Sequence, residues 1–189
     1  VPVTRVTEER RRQQDFVAVE EPLQIRLNGS DLAITMRTPG HDAELAAGFL
    51  FTEGILSGRA AIAAIEPGDN SIAFQLTADA SPDLAAQTRH FYLTSSCGVC
   101  GKASVDALVA AGCDAPPRDT PKIAAAVLHR LPEALRSTQA VFDRTGGLHA
   151  AGLFSPTGEL LLVREDVGRH NAVDKLIGRQ VLDGRVPLS

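Results

Sequence analysis

Leu23, Ile25 and Leu27 alternate with Gln24 and Arg26, and Asn28-Gly29 follows at once. This constrains the fold more than any other stretch of the chain. Alternation at period two puts the three apolar side chains on one face of a strand. Both turn residues tolerate the positive φ that a two-residue hairpin demands. A second strand is expected next, with Leu32, Ile34 and Met36 alternating, until Pro39-Gly40 breaks the chain. The first strand is expected over residues 16–27, and residues 1–15 as a polar, loosely ordered arm.

A helix over residues 42–53 should follow, with Leu45, Phe49 and Leu50 inward and Gly54 as its stop. Short strands are expected at 61–65, 71–76 and 89–94. The first part therefore reads as a small α+β unit over residues 1–95. Beyond it, residues 102–111 suit a helix, and Pro121 can start another running to about Arg136, kinked or cut short by Pro132. Strands at 148–154 and 159–164 should pair around Ser155-Pro156-Thr157-Gly158. A last helix over 168–182 is expected to bury Val173, Leu176, Ile177 and Val181. Residues 96–189 thus form a second, α/β unit.

Composition excludes several functions. The net charge of −4 argues against nucleic acid as a partner, because such binding needs a basic stripe to displace counterions. Arg10-Arg11-Arg12 is the only dense basic run, and it reads as a solvated tail. No stretch approaches the ~20 apolar residues that span a bilayer, and the start lacks the apolar core of a secretory signal. The reading is a cytoplasmic protein with no membrane partner.

Three cysteines are too few, and of the wrong parity, for a disulfide framework. Two of them lie in Ser95-Ser96-Cys97-Gly98-Val99-Cys100-Gly101-Lys102. The glycines let the backbone approach a ligand. A helix starting just after directs free N–H groups at the sulfurs, and Lys102 adds a cation. These features favour the thiolate, the form that attacks sulfur or binds metal. Zinc needs four ligands where C-x2-C supplies two; Cys113 and His129 would have to complete the set. A thioredoxin-like redox pair would follow a βαβ opening, whereas this pair lies midway along the chain. A persulfide carrier needs an accepting thiol and a second thiol to assist release. Two inert buried cysteines are the bland alternative, disfavoured in so glycine-rich a loop. Spacing alone leaves redox, zinc and sulfur transfer open.

Two further stretches suit a ligand. Thr145-Gly146-Gly147-Leu148-His149 places a glycine pair before a strand, where backbone amides can meet a phosphate or a flat ring, with His149 as a donor. Residues 164–175, Arg-Glu-Asp-Val-Gly-Arg-His-Asn-Ala-Val-Asp-Lys, pass from a strand into a helix start, a natural anion site. Arg164, Arg169, His170 and Lys175 supply donors, and Asp166 four residues before His170 is expected to orient its imidazole. A salt-bridged helix start without ligand is the plainer reading. No P-loop, G-x-G-x-x-G, H-E-x-x-H or G-x-S-x-G motif occurs.

Taken together, the chain resembles the formate dehydrogenase accessory sulfurtransferase family, FdhD. The resemblance runs in order through Glu20-Glu21-Pro22-Leu23, Met36-Arg37-Thr38-Pro39-Gly40, Glu44-Leu45-Ala46-Ala47-Gly48-Phe49-Leu50, Glu53-Gly54-Ile55, the Cys loop, Thr145 to His149 and Arg164 to Lys175. It implies a sulfur relay. A cysteine desulfurase would give persulfide sulfur to Cys97, with Cys100 assisting. The sulfur would pass to molybdenum bis(guanine dinucleotide) cofactor, held as substrate, for formate dehydrogenase.

The two ligand-suited stretches then supply the candidate cofactor contacts, Gly146, Gly147, His149, Arg164, Asp166, Arg169, His170 and Lys175, with no metal bound directly. It also implies a homodimer and a cytidine-deaminase-like fold for the second unit, incomplete at its C-terminus because family members continue beyond Ser189. Deaminase activity is not implied. That chemistry needs H-x-E before P-C-x-x-C, and here His149 follows the Cys pair with Ala151 in place of the glutamate. The alternatives are a non-covalent cofactor-binding chaperone for formate dehydrogenase, or a structural zinc protein.

Overall fold

The computed structural model describes residues 1–6, 10–80 and 122–187. The strand expected at 89–94, Cys97, Cys100, Cys113, the helix at 102–111 and the boundary at 95/96 lie outside the described residues.

The central hairpin forms as its pattern dictates. β3 (Glu21–Leu27) and β4 (Ser30–Arg37) are antiparallel, and Leu27 pairs with Ser30 across a two-residue turn. Asn28 and Gly29 have φ of 48° and 81°, the left-handed pair such a turn requires. Leu23, Ile25 and Leu27 are all buried. Ile34 and Met36, which alternate with Leu32 in the sequence, are 58% and 42% exposed. The register slips between Ile25 and Arg26, and Leu32 is the residue passed over. A bulge reverses side-chain parity, so Leu32 still reaches the core while Ile34 and Met36 stand opposite Gln24 and Pro22 on the other face.

Residues 2–6 and 10–14 correct the expectation of a loose arm. β1 (Pro2–Val6) and β2 (Arg10–Gln14) pair antiparallel as a separate ribbon. Backbone hydrogen bonds hold it, including reciprocal bonds between Val1 and Asp15, and these leave no trace in an apolar pattern. The strand expected from residue 16 begins only at Glu21.

β5 (Ile62–Gly68) and β6 (Ser71–Leu76) complete a four-stranded sheet of order β4-β3-β6-β5. β3 and β6 run parallel and the other neighbours antiparallel. α1 (Asp42–Thr52) covers one face, packing Leu45, Ala46, Ala47 and Leu50 with Leu23, Ile25, Ile72 and Phe74.

After residue 121 come α2 (Ala125–Leu128), α3 (Leu131–Arg136) and α4 (Ala140–Thr145). Pro132 divides α2 from α3 and sits in the first turn of α3, where its missing N–H costs nothing. β7 (His149–Phe154) and β8 (Leu160–Asp166) form an antiparallel hairpin, followed by α5 (Arg169–Leu182).

α5 packs on both α1 and the β7–β8 hairpin, so it buries polar as well as apolar residues. Leu176 and Val181 are inside as expected, with Lys175 and Gln180, while Val173 lies 46% exposed on the opposite side. α1 and α5 approach almost to backbone contact. A Cβ at Gly48 would stand 1.9 Å from the Asp174 carbonyl oxygen, and one at Gly178 would stand 1.7 Å from that of Glu44. Only glycine permits this crossing.

Candidate functional site

The crossing fixes where α5 begins, and the loop after β4 is tied to that start by buried polar groups. Asp166, at the end of β8, is fully buried. One carboxylate oxygen accepts the Gly168 N–H at 2.9 Å and the Asn171 side-chain amide at 3.0 Å. The other accepts the Thr38 N–H at 3.1 Å and lies 2.6 Å from Lys175 Nζ. Lys175, 1% exposed, also donates to the Thr38 carbonyl at 2.8 Å. The Thr38 hydroxyl accepts the Val167 N–H, and Asn171 Nδ2 donates to the Met36 carbonyl. A buried ion pair is tolerable only when further hydrogen bonds support it, and here both Asp166 oxygens and Lys175 Nζ have partners besides each other.

Three more carboxylates extend this frame. Glu44 on α1 holds Arg164 through Nη2 to Oε1 at 2.8 Å and stands 3.4 Å from His41 Nδ1. Asp42 takes both Nε and Nη2 of Arg37, at 2.9 and 3.0 Å. Burial works against the Arg37 charge, but hydrogen bonds and charge from Asp42, then Glu21, outweigh it and raise its pKa. The Glu165 carboxylate accepts the Val141 and Phe142 N–H groups at the start of α4.

The expected ligand residues divide into two sets. Gly146, Gly147, His149, Arg169 and His170 are exposed. They gather at one end of the hairpin, because His149 opens β7 opposite Asp166, which closes β8. Gly146 ends α4 at a φ of 65°, a left-handed cap that glycine serves without strain. Arg164, Asp166 and Lys175 are instead engaged within the fold, bracing that end. The expected Asp166–His170 pair is corrected: Asp166 is committed to Lys175 and three N–H groups, and His170 is exposed. Thr38, Asn171 and Glu44 were missed as bracing residues. All three fall inside the segments that carried the family resemblance, the one signal that could have found them.

Asp174 was also missed. Its carboxylate accepts the Thr52 hydroxyl at 3.1 Å across the helix crossing. Burial pushes its pKa up to about 7; the Thr52 bond opposes the rise, and the Glu53 charge adds to it. The folded chain therefore holds this proton more tightly than the unfolded chain, whose aspartate titrates near 4. Stability from this group is full below about pH 4, falls as pH rises to about 7 and is level above that. Asp174→Asn should flatten the slope and be up to about 4 kcal/mol more stable than the parent chain at pH 8, about 1.4 kcal/mol for each pKa unit of the rise. Urea unfolding at pH 5, 6, 7 and 8 measures this, and parallel pH profiles would refute it.

Among the described residues no three His, Cys, Asp or Glu side chains gather as a metal site, and no helix is long and apolar enough to cross a membrane.

The family model of the FdhD/NarQ family matches residues 18–187, a range that includes Cys97, Cys100 and every residue of the frame. The chain belongs to the FdhD/NarQ family. Proteins named sulfur carrier protein FdhD are similar to this chain. The one from Mycolicibacterium paratuberculosis is 51% identical over 185 residues, covering 92% of this chain and 68% of its own length. That of Streptomyces coelicolor is 51% identical over 191 residues (93% and 66%). That of Sulfolobus acidocaldarius is 47% identical over 177 residues (93% and 66%). The chain thus spans about two thirds of the length of these relatives.

A crystal structure of a protein assigned as a formate dehydrogenase accessory protein, from Desulfotalea psychrophila, is similar in fold. Its TM-score is 0.66 at 27% identity, with 97% of this chain and 68% of that chain covered. The mixed α/β architecture read from the sequence of this FdhD/NarQ member agrees with that likeness.

Proposed function

We propose that this chain is a sulfur carrier serving formate dehydrogenase maturation, with Cys97 as the atom that bears the sulfur. The observation that carries the reading is the identity of about half to relatives named sulfur carrier proteins, over a range that includes the Cys97–Cys100 loop.

In the first step the Cys97 thiolate attacks the outer sulfur of a cysteine desulfurase persulfide. One S–S bond forms on Cys97, one breaks, and the desulfurase thiolate leaves, so no external oxidant is needed. Cys100 then attacks the inner sulfur, releasing sulfide toward the molybdenum bis(guanine dinucleotide) cofactor; two cellular thiols, oxidised to their own disulfide, reduce the resulting Cys97–Cys100 disulfide. The cofactor is substrate here. Gly146, Gly147, His149, Arg169 and His170 form the exposed surface offered to it, while Arg164, Asp166 and Lys175 keep that surface in place. The same reading makes the protein a cytoplasmic homodimer whose second unit is cytidine-deaminase-like.

In cells lacking their own copy of the family member, this chain should restore formate dehydrogenase activity. Cys97→Ala should abolish the restoration and Cys100→Ala should slow it. Full activity with both cysteines replaced would refute sulfur carriage and favour a non-covalent chaperone.

A further inference from the structure

An open groove of about 930 Å³ runs between the β7–β8 hairpin and residues 179–187. Its size is at the upper end for a ligand site. Leu153, Leu161 and Leu162 give it an apolar wall, and Leu161 is 56% exposed. Arg164, Arg179 and Arg185 line it against a single lining carboxylate, Asp183. Asp183 is shared: it lies 2.9 Å from Arg179 Nε and 3.7 Å from Arg185 Nη1. Behind the lining, Glu44 holds Arg164 and stands 3.7 Å from Arg179, so the three guanidinium groups face two carboxylates and one positive charge is left over.

Gln180 also lines it and is only 5% exposed. Its backbone carbonyl accepts the Arg185 N–H, yet its side-chain amide has no partner among the described residues. A buried amide left unpaired costs roughly 1–3 kcal/mol. A carboxamide both donates and accepts, which matches the N–H and C=O of a peptide bond.

We propose that this groove seats a short acidic segment of a partner protein. Its aliphatic side chains lie on Leu153, Leu161 and Leu162, a carboxylate sits between Arg179 and Arg185, and its backbone pairs with the Gln180 amide. Charge complementarity selects the occupant, since an acidic segment neutralises the excess guanidinium and a basic one would not. The proposal does not depend on sulfur transfer, and direct binding reads it separately.

The test is fluorescence anisotropy with a labelled peptide of alternating glutamate and leucine. Binding should saturate, weaken with added salt, and fall about tenfold or more in Arg179→Glu and Arg185→Glu. Leu161→Asp, a change at an exposed position, should also weaken it, with circular dichroism confirming the fold of each variant. A peptide of alternating lysine and leucine should bind at least about tenfold more weakly.

The proposal is overturned by an absence of saturable binding, by equal binding of the lysine peptide, or by unchanged affinity in the charge-reversed variants. Inorganic pyrophosphate displacing the peptide as well as unlabelled peptide does would reassign the groove to a small anion. Arg185-dependent self-association in sedimentation, without peptide binding, would reassign it to a second copy.

Discussion

Gly48→Ala should lower the unfolding free energy by about 3 kcal/mol, although the same change on an exposed helix face raises stability by about 1 kcal/mol. The sign reverses because the added Cβ would meet the Asp174 carbonyl oxygen at 1.9 Å. That is backbone, not a side chain able to turn away. The two helices must separate, and separation disturbs the packing of Leu45 and Leu50 beneath them. Gly178→Ala, facing the Glu44 carbonyl, should behave alike. A urea midpoint equal to or above that of the parent chain in both variants would refute the crossing as described.

Lys175→Met should cost about 3 kcal/mol or more, because it leaves the Asp166 carboxylate buried without its cation. The three N–H donors to Asp166 remain, but they do not replace a full charge. Adding Asp166→Asn to Lys175→Met should recover part of the loss, since no net charge is then buried. The double variant is thus expected to be more stable than Lys175→Met alone. Strictly additive losses in urea unfolding would show that the pair does not interact. The consequence reaches beyond stability: the pair ties the 37–40 loop to the start of α5, and Arg169 and His170 stand in the first turn of that helix.

Period-two and period-3.6 patterns exposed the hairpin at Asn28-Gly29, the strands around residues 155–158 and both long helices. β3 buries one apolar face, so its sequence carries the signal directly. Ile34 and Met36 leave the face of Leu32 because one passed-over residue reverses parity, and nothing in the apolar pattern marks where the register slips. Val173 was misplaced because α5 is covered on two sides. A helix held between α1 and a hairpin buries Lys175 and Gln180, residues that a pattern of apolar positions assigns to solvent.

The candidate site was legible as composition and not as roles. The dense Arg, Glu, Asp and His run stands out in the sequence, yet Arg164, Asp166 and Lys175 find partners at Glu44 and Thr38, more than 100 residues earlier. Local spacing suggested Asp166 with His170, but long-range burial gave Asp166 to Lys175 instead.

The central claim concerns one sulfur atom, and mass spectrometry reads it directly. The chain, reduced and then incubated with a cysteine desulfurase and cysteine, should gain one sulfur atom on the peptide containing Cys97. The gain should be lost on reduction and absent in Cys97→Ala. A chain that acquires no sulfur on either Cys97 or Cys100, while the desulfurase itself carries persulfide, would contradict the account.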